Sequence, residues 1–97
     1  MSFEWDEEKR LSNLAKHRLN FSRAQTLFEA DSQYIETRSE AEDEERWLRT
    51  GIVDGEFVTI VWTRREDSIR FISFRRARRE ERREYLDRYL GRAPQDE

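Results

Sequence analysis

Two runs of β-forming residues meet at Asp54-Gly55, and this constrains the chain more than any other feature. Residues 46–53 and 56–63 flank the dipeptide, and Phe57-Val58-Thr59-Ile60-Val61-Trp62-Thr63 is wholly β-branched or aromatic. Asp-Gly suits a type I′ turn, in which both central residues need positive φ, so the pattern predicts a tight antiparallel hairpin. Residues 64–67 read as a short polar loop and 68–75 as a further strand. Unbroken alternation would put Ile69, Phe71 and Ser73 on one side of that strand and Arg70, Ile72 and Phe74 on the other. Three antiparallel strands in succession make a meander.

The remaining elements assemble around it. Residues 3–5 predict a first strand, and Asp6 is a good N-cap for a helix running to Lys16 or His17, with Glu7 and Glu8 in its first turn. Leu11 and Leu14 are expected on its buried face. Asn20 or Ser22 caps a second helix, where Phe21, Ala24, Leu27 and Phe28 form a helical stripe. Residues 31–38 are weakly strand-like, and the acidic run 39–45 predicts a solvated loop because like charges repel. Residues 76–90 predict a last helix with Ala77, Tyr85, Leu86, Tyr89 and Leu90 inward, closed by Gly91 and Pro94. The expected class is α+β: an antiparallel meander sheet with two N-terminal helices and one C-terminal helix, the helices on one face and the other face available. At 97 residues the chain fits one domain, 1–91, with a frayed tail at 92–97.

Composition removes several function classes. Charged residues make up 42% and apolar ones only 35%, but three Trp, three Tyr and six Phe supply the buried area of a folded core. With no Cys and one His, disulfides, thiolate metal sites and His-rich metal sites are excluded. No Gly-rich phosphate loop and no nucleophile elbow is present, so no cofactor is expected. No apolar run approaches the roughly 20 residues that span a bilayer, and the acidic start lacks a signal core, which predicts a cytoplasmic protein with no membrane partner.

The net charge of −3 conceals a segregation. Residues 1–63 carry 8 Lys/Arg against 14 Asp/Glu, whereas residues 64–83 carry 9 Arg against 4 acids. A ligand meets the local field, since salt screens beyond about 10 Å at 0.1 M. Guanidinium groups fork onto phosphate oxygens, so Arg70, Arg75 and the helix arginines Arg76, Arg79 and Arg82 are candidates for an RNA backbone. An exposed Trp47, Trp62, Phe71 or Phe74 could stack a base. The helix arginines could equally pair with Glu80, Glu81 and Glu84. Metal-free RNA cleavage needs a base for the 2′-OH, cations for the developing phosphate charge and an acid for the 5′-oxygen. Arg46, Arg70 and Arg75 suit the cationic role. Glu81 is either a base or an ion-pair partner of Arg75 or Arg46. His17 has an ordinary pKa near 6.5 and is either an acid–base group or a helix cap.

These residues fall into a familiar order. Phe3-Glu-Trp5-Asp6-Glu-Glu-Lys9, then Asn13, Lys16-His17, Phe21, Ala24 and Phe28, resembles the opening of BrnT-type toxins. Glu45-Arg46-Trp47 and the strand ending at Thr63 resemble their middle. Arg70-Phe-Ile72-Ser73-Phe-Arg75-Arg76-Ala77, then Glu81-Arg82 and Tyr85, resembles their close. The resemblance covers residues 3 to 89. It implies a RelE-like ribonuclease fold and a metal-independent endoribonuclease that blocks translation. It also implies neutralisation by a BrnA-like antitoxin with a ribbon-helix-helix DNA-binding domain. Carried over, Arg46, Arg70, Arg75 and Glu81 sit at motif positions of the active face, and His17 at a further motif position. The alternative is a non-catalytic RNA- or antitoxin-binding module. A homodimer or a 2:2 complex with the antitoxin is compatible with so many aromatics on a small domain. The chain departs from the family pattern at Arg18, where Gly is usual and a different helix end is expected. Phe74 and Arg78 replace smaller residues, and Arg76 stands where Lys is frequent.

Overall fold

The computed structural model describes residues 2–41 and 44–90; the predicted 92–97 tail lies outside them. The elements are β1 (Ser2–Glu4), α1 (Glu7–His17), α2 (Phe21–Ala24) running into a 3₁₀ turn (Gln25–Phe28), β2 (Ile35–Ala41), β3 (Glu44–Val53), β4 (Glu56–Arg65), β5 (Ser68–Arg76) and α3 (Arg79–Tyr89). The fold is α+β, but the sheet is mixed. Its order is β1-β5-β4-β3-β2, with β1 parallel to β5 and the other pairs antiparallel.

Local signals explain most elements. Asp54 and Gly55 both take positive φ, 53° and 81°, as the hairpin requires. The Asp6 carboxylate accepts from the Glu8 N–H at 2.8 Å and starts α1. The acidic run does not form the expected solvated loop. Residues 39–41 and 44–45 belong to β2 and β3, where ladder bonds hold the backbone and Arg38 pairs with Glu45; 42–43 lie outside the described residues. The predicted second helix shrinks to one α turn plus a 3₁₀ turn, still burying Phe21, Ala24 and Leu27.

The core lies between the sheet and α1–α2: Phe21, Leu27, Ile60, Trp62, Ile69, Phe71 and Phe74 are each at most 4% exposed. Phe71 is its centre, stacked near-parallel on Trp5 at 5.8 Å and on Phe3 at 5.4 Å. None of Phe71, Phe74 and Trp62 is therefore free to stack a base, and half-buried Trp47 stacks on Trp62 at 4.8 Å instead. Leu11 was expected inside but is 52% exposed. The buried residue of α1 is Asn13, whose amide donates to the Leu19 and Phe74 carbonyls and whose Oδ1 accepts from the Phe74 N–H. It thus extends the ladder of β5 as a neighbouring strand would, pairing both its own buried amide and the Phe74 backbone.

Arg18 does not make α1 end differently from a glycine-capped helix. It adopts the left-handed conformation itself, at φ 62° and ψ 28°, and its N–H bonds the Leu14 carbonyl at 2.8 Å.

Two departures matter for function. First, α3 begins at Arg79 rather than Arg76 and packs on the sheet face opposite α1 and α2, so the helices occupy both faces. Glu81 bonds Thr59, and the Tyr85 ring meets Phe57 edge-on at 5.7 Å, while Leu90 is 72% exposed. Second, β5 is bulged. Val61 pairs with Ser73 but Trp62 pairs with Phe71, so Ile72 is an extra residue. The expected alternation fails there. Phe74 joins Ile69 and Phe71 in the core, and Arg75 turns to the same face as Arg70.

Candidate active site

The bulge decides which arginines can act together. Arg70 and Arg75 are five apart, an odd spacing that would put them on opposite faces of a regular strand. Arg70 pairs with Thr63, Arg75 pairs with Thr59, and Arg46 immediately precedes the Trp47–Trp62 pair of the other face. All three therefore share the α3-bearing face of the sheet. They do not share one spot. Five residues of strand separate Arg70 from Arg75 by roughly 15 Å, so the two guanidiniums reach different groups of a ligand.

At the Arg75 end a polar network replaces an apolar core. Arg75 donates to Glu81 through both terminal nitrogens, at 3.0 and 2.9 Å, and to the Arg76 carbonyl at 3.1 Å. The Glu81 carboxylate also accepts from the Arg78 N–H at 2.7 Å and from Thr59 Oγ1 at 2.9 Å. Thr59 and Thr50 hydroxyls lie 2.6 Å apart, and Thr59 has spent its only proton on Glu81, so Thr50 donates to Thr59. Burial pushes the Glu81 pKa up, but the hydrogen bonds from Arg75, Arg78 and Thr59 and the charge of Arg75 outweigh it and hold the pKa at about 2. A carboxylate that acidic is a weak base at neutral pH, so the arrangement suits Glu81 as the group that orients Arg75. Three of the five Arg75 N–H groups are used in these bonds, which leaves Nε–H and one Nη2–H for a ligand.

Arg76 and His17 meet from the other side. Arg76 pairs with Val58 on the core face, donates to the His17 carbonyl at 2.6 Å and pairs with Glu56 at 3.1 Å. It thereby satisfies the end of α1, where a cation is favoured. His17 is half-buried. Its pKa is lowered, first by burial and then by the charges of Lys16, Arg75 and Arg76, so the imidazole is neutral at pH 7. His17 and Arg76 on the α1 side, and Arg75 and Glu81 on the α3 side, thus flank the C-terminal end of β5.

Arg46 and Arg70 sit at the far end of the same face, each tied to a carboxylate. Arg46 pairs with Glu44 at 3.0 Å and Arg70 with Glu4 of β1 at 3.3 Å. Neither touches Glu81. Arg82 lies on a third side, its guanidinium 5.5 Å from the Phe57 ring near the hairpin, and Arg79 is exposed. Asn13, Thr50 and Thr59 also organise this region, although the sequence alone does not single them out as site residues. A polar residue in a β-rich run, as at Thr50 and Thr59, is the one signal that could have pointed to them.

The fold and this face define a small α+β protein that presents guanidinium groups fixed by carboxylates. Residues 5–81 match the family of ribonuclease toxins, BrnT, of type II toxin–antitoxin systems. The chain belongs to that family, whose members are ribonuclease toxins paired with a protein antitoxin. No curated protein matches it. Among the described residues no helix is long and apolar enough to cross a membrane, and no three His, Cys, Asp or Glu side chains come together as a metal site.

Proposed function

We propose that this chain is a metal-independent endoribonuclease that blocks translation by cutting RNA at the C-terminal end of β5. The observation that supports this reading is geometric: Arg75, fixed by Glu81, and Arg76, bonded to the backbone carbonyl of His17, the only histidine, flank the C-terminal end of β5. Neutral His17 takes the proton of a 2′-OH as its oxygen attacks the adjacent phosphorus. Arg75, held by Glu81, and Arg76 stabilise the charge that builds on the phosphate oxygens. The bond from phosphorus to the 5′-oxygen breaks, water protonates the departing oxygen, and a 2′,3′-cyclic phosphate remains. Arg46 and Arg70 hold the RNA on the other side of the cut, their carboxylate partners giving way to phosphate. The toxin acts in the cytoplasm and is silenced by a BrnA-like antitoxin carrying a ribbon-helix-helix domain.

Induced expression tests the reading directly. The wild type should arrest growth and cleave RNA, and the purified protein should keep cleaving in excess EDTA. Arg70→Ala and Arg75→Ala should relieve the arrest, and His17→Gln should lower the cleavage rate about 10²- to 10⁴-fold. Folded wild-type protein that neither arrests growth nor cuts RNA would leave only a binding module.

A further inference from the structure

The four arginines at the start of α3 differ from those of the sheet. Arg46, Arg70, Arg75 and Arg76 each hold a carboxylate. Arg78, Arg79, Arg82 and Arg83 are exposed and have no carboxylate within 4.0 Å among the described residues. Their spacing makes this costly: Arg78–Arg82 and Arg79–Arg83 are like-charge pairs one turn apart. With 100° per residue and Glu81 and Tyr85 toward the sheet, Arg79 and Arg82 fall on one flank, Glu80, Glu84 and Asp87 on the other, and Arg83 on the outer ridge between them. Contacts agree with that rotation. Arg82 lies over Phe57 at the hairpin side, whereas Glu84 lines a shallow cavity with Ile35 and Thr37 of β2. The arginine flank begins two residues after Arg76, where the candidate site ends, and Arg79 to Arg83 rises about 6 Å along the helix.

We propose that the Arg78, Arg79, Arg82 and Arg83 flank of α3 is a track for the phosphodiester backbone of single-stranded RNA leaving the cleavage site. The proposal rests on the ribonuclease reading for its substrate. Exposed, unpaired guanidiniums are free to fork onto phosphate oxygens with no ion pair to break first. They read no base, so the track contributes affinity and length preference but no sequence preference. A single strand fits because in-line attack by a 2′-oxygen needs a nucleotide free of A-form stacking. The acidic flank repels the same strand, so the RNA passes the hairpin side of α3 and not the β2 side.

The test uses the full chain and uncleavable 2′-O-methyl RNA of about four and about twelve nucleotides, a range matching small single-strand sites. Affinity is read by fluorescence anisotropy at several salt concentrations. The wild type should bind the longer oligonucleotide at least about tenfold more tightly than the shorter, from the added phosphate contacts. A variant with Arg78, Arg79, Arg82 and Arg83 all changed to Gln should lose that gain. Its log–log salt slope should be shallower by about 3, at about 0.7 per single-strand phosphate contact. An unchanged melting temperature verifies that it folds, and changing the four residues two at a time provides folded substitutes. A variant that keeps both the length gain and the slope overturns the track. So does a wild type that binds polyglutamate but not RNA, which would assign the flank to an acidic protein segment. Failure of the nuclease reading is separate: it appears as length-dependent binding by a wild type that cleaves no unmodified RNA.

Discussion

The two faces of one sheet are held by different physics. Toward α1 and α2 the contacts are mainly apolar rings packed around Phe71, with Asn13 bonded to Phe74 and a buried Arg49 held over Phe28 and bonded to Glu36 and the Leu27 carbonyl. Toward α3 they are a chain of polar groups, Thr50 to Thr59 to Glu81 to Arg75, with two tyrosines behind. Apolar burial is non-directional and stabilises without fixing a particular atom. Hydrogen bonds and ion pairs contribute less net stability but aim their donors. The core face keeps the sheet folded, and the α3 face determines where Arg75 points.

Four changes would break or sharpen this contrast. Inserting one alanine between Ser73 and Phe74 has the largest expected effect, because a one-residue slip beyond the bulge turns Arg75 into the core and Phe74 out of it. A buried unpaired charge on that scale should abolish the cooperative unfolding transition seen by near-ultraviolet circular dichroism. Phe71→Ala comes next and should cost about 3–5 kcal/mol in denaturant melts. Glu81→Gln should cost about 2 kcal/mol at pH 7, less than the core truncation, while removing Arg75 from its fixed position and so lowering cleavage more than stability. It also has a pH signature. The folded pKa of Glu81 is depressed to about 2 from 4.5, so its contribution is complete above 4.5 and is lost as pH falls toward 2. The variant should show a flatter stability curve across that window. Arg18→Gly lies outside both faces and is the smallest: relief of the left-handed backbone should raise stability by about 0.5 kcal/mol, offset in part by the greater freedom of glycine when unfolded.

What could be read in the sequence was what adjacent residues determine. Asp54-Gly55, the Asp6 cap and the Phe21–Leu27 stripe specify their own geometry, and the structure has all three. The mixed sheet could not be read, because three residues of β1 carry no mark of the strand they will join. Nor could the place of α3, since Tyr85 and Tyr89 would suit either face equally well. The acidic run forms strands because ladder hydrogen bonds override the repulsion among its charges. The bulge lies deepest: Ile72 is a good β-former like its neighbours, and only the pairing of Trp62 with Phe71 marks it as extra. The candidate site inherits these gaps. Arginine density pointed to the right stretch of chain, but the division among the Arg70 end, the Arg75 end and the far flank of α3 is tertiary.

The stacked indoles of Trp47 and Trp62 give the molecule a built-in optical gauge. Their centroids are 4.8 Å apart with planes inclined by 24°, and Trp62 Nε1 donates to Glu36 of β2. The pair therefore spans β3 and β4 and is tethered to the strand beyond. Its coupled absorption and emission follow whether those three strands keep their alignment, so an engaged ligand on the opposite face can be watched through the sheet without any attached dye.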